Sequence, residues 1–244
     1  MSTTNLPNGV TNAAESTALG SFVAPDPSKV YTYWNDFTSY IAPYSAATDP
    51  AVAVPGDFVV SGTGTVALAS AANGILTLTN DATDDHNTFL QWGGNTGTVL
   101  ETFRWSASKE MWFKARFKTS DASDSDVVIG LAITDTSPLD ASDGLFFLKS
   151  DGSTTINFKA VKNATASTVA AGTMVSDTYC TVGYHWSKDA GVLEVFFNDV
   201  KVGSLSTTTN FPDDEDIAVT LGIQNGAAAA KALSVDYIMA SIER

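Results

Sequence analysis

The stretch Cys180–Leu205, CTVGYHWSKDAGVLEVFFNDVKVGSL, decides the fold class of this chain. It reads as three short strands joined by two tight turns, Ser187-Lys-Asp-Ala-Gly191 and Asn198-Asp199. In the middle strand Leu193, Val195 and Phe197 alternate with Val192, Glu194, Phe196 and Asn198, the two-residue period of a pleated strand. Asn and Asp tolerate the positive φ angles of a two-residue hairpin loop, so positions 198 and 199 mark the second turn. Cys180 stands within the first strand, where the expectation is a small buried thiol rather than a nucleophile.

The same grammar extends outward in both directions. Residues 110–119 alternate most clearly, with Met111, Phe113, Ala115 and Phe117 on one face and Trp112, Lys114, Arg116 and Lys118 on the other. Upstream, an aromatic-rich opening strand at 30–37 precedes a Pro/Ala-rich loop at 41–56, and further strands are expected at 57–61, 65–69, 74–79, 88–92 and 98–102. Downstream they are expected at 126–134, 145–149, 154–162, 167–170, 178–187, 191–197, 200–205, 217–224 and 232–242. Turn signals at such short intervals, with no helical period after residue 30 and no fixed repeat, predict an all-β, two-sheet antiparallel sandwich.

Composition narrows the class. At 244 residues the chain buries a core without staples, and its single cysteine excludes an internal disulfide framework. The net charge of −14 argues against nucleic acid and anionic membranes as partners. No apolar run has the length of a membrane helix, and MSTTNLPNGVTNAAES lacks the basic flank and apolar stretch of an export signal. Assembly in the cytoplasm of the producing cell is therefore expected.

Residues 1–29 differ in kind from the domain at 30–244. Ser, Thr, Asn and Ala dominate, Pro7, Pro25 and Pro27 discourage regular structure, and Leu6, Val10, Leu19, Phe22 and Val23 are spaced without helical or strand period. A solvated tail is one reading. The spaced apolar anchors favour the other, an extended arm that becomes ordered on a neighbouring subunit.

Reactive chemistry has little to stand on. A glycosidase on a sandwich needs two carboxylates on one strand face, about 5–5.5 Å apart in a retaining enzyme. Of the glutamates Glu15, Glu101, Glu110, Glu194, Glu215 and Glu243, none shares an expected strand face with a second carboxylate two positions away. His86 and His185 lie far apart in sequence, without a nucleophile elbow, and provide no zinc ligand set. The expectation is no enzyme and no cofactor. The acidic clusters are read first as solvated loops; Asp121, Asp124 and Asp126 are the first choice if calcium binds, since three carboxylates recur within six residues. Trp112, Lys114, Arg116 and Lys118 form a basic ladder. It pairs with carboxylates of a neighbouring strand, or it docks an acidic partner or a glycan with Trp112 as a stacking platform. Trp34, Trp92, Trp105 and Trp186 are expected in the core or at a sheet edge; an exposed pair would favour carbohydrate.

The hairpins at 180–205 resemble the late hairpin of concanavalin A-like jelly rolls, the laminin-G and lectin/glucanase superfamily. The resemblance implies that the last strand, Leu233-Ser-Val-Asp-Tyr-Ile-Met-Ala-Ser-Ile242, pairs beside the first, near Tyr33–Phe37. More broadly, the chain looks like the jelly-roll decoration or cement proteins of tailed bacteriophages. The matching stretches are the arm running into Tyr31-Thr-Tyr-Trp-Asn-Asp-Phe37, Trp112–Lys118, Val128–Thr134, Asp143–Leu148, the 180–205 hairpins and Val235–Arg244. That resemblance implies a protein of the capsid exterior that binds the major capsid protein and itself, often as a homotrimer. A lectin-like module on a virion surface or tail fibre, taking a surface glycan, is the alternative.

Overall fold

The computed structural model describes residues 29–40, 57–69, 74–93 and 98–244. Its strands are β1 (Val30–Asn35), β2 (Phe58–Gly62), β3 (Thr65–Leu68), β4 (Leu76–Thr79) and β5 (Asn87–Trp92). After these come β6 (Met111–Thr119), β7 (Ser125–Ala132), β8 (Gly144–Lys149), β9 (Thr155–Lys162) and β10 (Thr165–Thr173). The chain closes with β11 (Cys180–Ser187), β12 (Val192–Phe197), β13 (Val200–Leu205), β14 (Ala218–Asn225) and β15 (Ala232–Glu243).

The strands form two antiparallel sheets. The larger runs β13-β12-β11-β6-β15-β4-β3, with β1 also on β15, and the smaller runs β10-β9-β8-β7-β14-β5-β2. β15 is long enough to hold two partners on one edge: β4 pairs with Ala232–Val235 and β1 with Ile238–Glu243. The expected closure of last strand on first is present; β1 begins at Val30 as expected but ends at Asn35, two residues short of the expected 30–37 strand, and its pairing starts upstream of Tyr33. Val30 is opposite Glu243, while Phe37 has turned out of the strand at φ 44° and buries its ring in the core.

Alternation dictates which side chains lie between the sheets. Met111, Phe113, Ala115 and Phe117 of β6 point inward with Val182, Tyr184 and Trp186 of β11 and Leu193 and Val195 of β12. Opposite them are Ile129 and Leu131 of β7, Leu145 and Phe147 of β8, and Ile156 and Phe158 of β9. Phe113 stacks on Tyr184 at 5.3 Å and Phe147 meets Phe158 edge-on at 5.3 Å. Each such side chain contributes roughly 1.5–3 kcal/mol on burial, so packing alone can hold a chain without disulfides.

Turn chemistry matches the sequence where it was readable. Asn198 and Asp199 both adopt positive φ, 49° and 63°, and Gly191 closes the preceding turn at φ 63°. A second two-residue hairpin, Asn163-Ala164, lacks glycine yet takes φ 49° and 62°, and the β10 that follows is longer than the expected 167–170 strand. The expected strand at 98–102 does not form. After Gly93 the chain returns beside β5 for one bridge, Gly93 to Val99, and Phe103 makes another with Ile217. Glu101 there turns its carboxylate to the Thr134 N–H (2.6 Å) rather than joining a ladder.

The chain crosses between sheets at Gly62-Thr63-Gly64. A Cβ on Gly64 would lie 2.0 Å from Thr88 Oγ1, so only glycine permits this approach. Asn80, buried beneath the corner, donates to His86 O (2.7 Å), Ile223 O and Asn225 Oδ1, and accepts from Thr88 Oγ1 (2.6 Å).

Candidate functional site

The outward side of the larger sheet carries the residues that sequence singled out. Strand register aligns them in rows: Thr32, Ser241, Trp112, His185 and Glu194 in one, Trp34, Met239, Lys114, Gly183 and Phe196 in the next. The first row places the Trp112 ring flat against the His185 imidazole, 5.3 Å between centroids and 11° between planes. His185 donates its Nε2–H to Glu110 Oε2 (2.6 Å), and Glu110 Oε1 accepts the Lys188 N–H (2.8 Å). The Lys188 ammonium reaches Glu243, whose carboxylate also accepts the Glu110 N–H (3.0 Å). Burial pulls the Glu243 carboxyl upward, but the Lys188 ammonium and the Glu110 N–H outweigh it and hold the group below its usual range. Trp112 and Met239 pack together as a small apolar cluster, 8% and 5% exposed, and Phe196 in the second row is equally buried.

The basic ladder is paired throughout. Lys114 meets Asp199 at 2.7 Å, Arg116 meets Asp236, and Lys118 meets Asp177 at 3.6 Å. Arg116 also lies over the Tyr179 ring, 4.2 Å from its centroid. Only the ladder itself is visible in the sequence. Asp199 stands in a turn and Asp236 in the bulge between Val235 and Tyr237, so neither follows the cross-strand parity that a sequence search would use. With its charges matched, this face attracts an acidic partner far less than the ladder alone suggests.

The acidic loop at 121–126 comes apart as a cation site. Asp121 Oδ1 accepts the N–H groups of Ser123 (2.9 Å) and Asp124 (3.0 Å), and Oδ2 pairs with the buried Lys231 ammonium. That hydrogen bond with Lys231, together with the two N–H donors, holds the Asp121 carboxyl down to about 2. Asp126 instead accepts the Asp151 N–H (2.8 Å), and burial pushes its carboxyl above the ordinary range. Between these acids sits Lys149, fully buried. Its ammonium donates to the carbonyls of Ser123 (2.9 Å) and Ser125. Among the described residues no three His, Cys, Asp or Glu side chains converge as metal ligands. Two lysine ammoniums, those of Lys149 and Lys231, lie among these carboxylates and balance part of their charge.

The outward side of the smaller sheet is mainly apolar. Phe89, Val128, Phe146, Leu148 and Val161 form its floor, joined by Ala132 and Ala141 and by Ile133 and Leu139 from the β7–β8 connection. Gln91 secures that connection, donating to Ile133 O (2.9 Å) and accepting the Asp135 N–H (2.9 Å). The outward positions of β5, β14, β7, β8 and β9 include one carboxylate, Asp126. The aromatic residues of this face, Phe89 and Phe146, are each 1% exposed.

Of the tryptophans, Trp105 and Trp186 meet at 5.2 Å in the core and Trp92 packs against it, while Trp34 is 48% exposed on the edge strand β1. Burial pushes the Cys180 thiol up to about 12, consistent with an inert core residue. The cluster of Glu110, His185, Lys188 and Glu243 escaped the sequence because it assembles from strand ends far apart in the chain. Leu6, Val10, Leu19, Phe22 and Val23 lie outside the described residues.

By sequence, the chain matches no known protein family and no curated protein. By structure it is similar to the carbohydrate recognition domain of Emp47p, with a TM-score of 0.59 at 12% identity over 90% of this chain and 99% of that one. It is similar to an endo-1,3-beta-glucanase from Streptomyces sioyaensis, with 0.56 at 12% over 90% and 98%. A protein of unknown function from Shewanella oneidensis gives 0.57 at 14% over 96% and 95%. The fold is the concanavalin A-like lectin/glucanase sandwich. At these identities the likeness is one of fold, and lectins and hydrolases share it.

Proposed function

We propose that this chain is a non-catalytic structural protein of a tailed-phage virion, decorating the capsid by contact with the major capsid protein and with further copies of itself. The observation that carries this reading is the outward side of the larger sheet. On it Met239, Trp112 and Phe196 are already buried, Trp34 on the edge strand β1 is half exposed, and the flanking charges are matched in pairs. A face with its charges matched suits contact with a protein surface of mixed character better than an acidic ligand. The long N-terminal segment joins the sandwich at the edge of this same face, through β1. Repetition of modest contacts over a lattice gives high avidity without a dominant residue.

Chemistry is a poorer fit. A retaining glycosidase requires two carboxylates about 5–5.5 Å apart. Among the described strands of the smaller sheet the outward carboxylate is Asp126, which is engaged by the Asp151 N–H and has the Asp151 and Asp85 carboxylates, from loops, as its like-charged neighbours.

A carbohydrate-binding role is the second reading, favoured by the half-exposed Trp34 and by the likeness to the Emp47p carbohydrate recognition domain. Binding measurements separate the two. The purified protein, mixed with capsids stripped of it, should rebind to saturation at a copy number set by capsid symmetry, and should run as a homotrimer in sedimentation. Saturable binding to a glycan array that is lost in Trp34→Ala, without capsid rebinding, would move the assignment to the second reading.

A further inference from the structure

We infer that copies of this chain meet along the side of the sandwich formed by β10 and β13, with β10 of one copy lying against β13 of the next. The inference rests on the self-association in the proposed function and assigns it a surface. Three observations lead to it.

The two edges stand together. β10 ends the smaller sheet and β13 ends the larger one. A Cβ on Gly203 would lie 2.5 Å from Val169 Cγ1, so these edge strands touch across the sandwich. Among the described residues five large apolar side chains are exposed; Trp34 and Leu68 lie elsewhere, and the other three belong to this side. Val200 (64%) and Val202 (41%) stand on β13, and Val175 (59%) in the turn leaving β10.

Backbone direction comes second. The Asn163-Ala164 hairpin closes on the Lys162–Thr165 pair, and alternation then turns the backbone groups of Thr165, Ser167 and Val169 toward β9. Those of Ala166, Thr168 and Ala170 point to the free edge, and all three residues are exposed. Thr165–Ala170 has no charge, no proline and no bulge to guard that edge. β13 is guarded against its own copy: Lys201 would meet Lys201, and Val202 is the extra residue of a bulge. Two β10 strands facing each other would leave the valines in water and give an isologous dimer. β10 against β13 covers the valines with small side chains. A contact between unlike strands also closes into a ring, as a homotrimer requires.

Charge comes third. Two chains of net charge −14 repel one another over most of their surface. This side is spared. Residues 165–173 carry no charged side chain, Lys201 pairs with Glu194 at 2.6 Å, and Asp199 pairs with Lys114 at 2.7 Å. Lys159, opposite Thr168 on β9, is in no ion pair among the described residues and draws an acidic neighbour. A further copy of this chain is such a neighbour.

Sedimentation and cross-linking of the full chain test this. Wild type should sediment as a trimer. Thr168→Lys and Val200→Asp should each raise the concentration of half-assembly about tenfold or more, whereas Leu68→Asp on the far edge strand β3 should not. Melting within about 2 °C of wild type shows that the variants are folded. For cross-linking, Thr168→Cys and Val200→Cys chains are mixed, left to exchange and treated with a short bismaleimide, the buried Cys180 thiol staying unreacted. Covalent dimers should form in the mixture and in neither variant alone. Trimers that survive both charge substitutions, or a mixture without covalent dimers, would overturn the inference. So would equal yields from Thr168→Cys alone, which place β10 on β10, and a monomeric wild type, which leaves this side to the capsid protein. Capsid rebinding is scored separately. Wild type that rebinds while its trimers ignore both substitutions fails the inference alone; trimers that break as expected in a protein that does not rebind fail the proposed function alone.

Discussion

Replacing Lys149 with methionine tests whether the acidic end of the sandwich is a self-satisfied structural cluster. Lys149 follows Leu145 and Phe147 on the inward side of β8, and its ammonium caps the core by donating to the Ser123 and Ser125 carbonyls. Burial is the main influence on it and lowers its affinity for a proton, while Asp126, Asp151, Asp121 and Asp124 act in the opposite sense. Lys149→Met removes two charge-assisted hydrogen bonds, each worth about 1.5–3 kcal/mol. Relief from burying an ammonium offsets part of that loss, leaving a net destabilisation of about 2–4 kcal/mol. For a chain of this size that lowers Tm by about 4–16 °C, readable by circular dichroism at pH 7. Adding Asp126→Asn should recover about 1 kcal/mol, since the cation's absence then matters less. Millimolar calcium should move the wild-type Tm by no more than about 1 °C. A Lys149→Met protein melting at or above the wild type, or a calcium shift of several degrees, would refute the reasoning.

Other expectations concern single groups. Because the Asp121 carboxyl is held at about 2 in the fold, its stabilisation is complete above the unfolded value near 4 and is lost as pH falls toward 2. Urea midpoints from pH 5 to 2 should therefore decline less steeply in Lys231→Met. The Tyr184 hydroxyl is fully buried without a hydrogen-bond partner among the described residues, so Tyr184→Phe should be neutral or stabilising by up to about 1–2 kcal/mol in urea melts. Asn80→Ala strips a buried corner of its amide and should cost about 2–4 kcal/mol by the same measurement. With its thiol pushed up to about 12, Cys180 should react with a disulfide reagent only after unfolding.

The fold was legible because its signals are local. Alternation in β6 and β12 assigns each side chain to a face, and Asn198-Asp199 announces its turn by residue type. The Asn163-Ala164 hairpin was not legible, since alanine rarely accepts positive φ and the register of β9 on β10 holds it there. The strand expected at 98–102 failed for the opposite reason: acceptable propensity, but among the described residues it makes only single bridges. Site geometry was harder still. Trp112 and the ladder were readable as a face, but their partners Asp199, Asp236 and Asp177 come from a turn, a bulge and a loop. The triple Asp121, Asp124 and Asp126 suggested convergence, whereas strand β7 sends Asp126 to one side and the loop keeps Asp121 on the other with Lys231. Proximity in sequence was a poor guide to proximity in space wherever a strand began between the residues.

Counting this protein on purified particles tests the central claim, that it works by contact and shape. Quantitative mass spectrometry of intact virions should give a fixed ratio to the major capsid protein that matches a class of symmetry positions. Its absence from those particles, together with cleavage of a polysaccharide by the purified chain, would contradict the account.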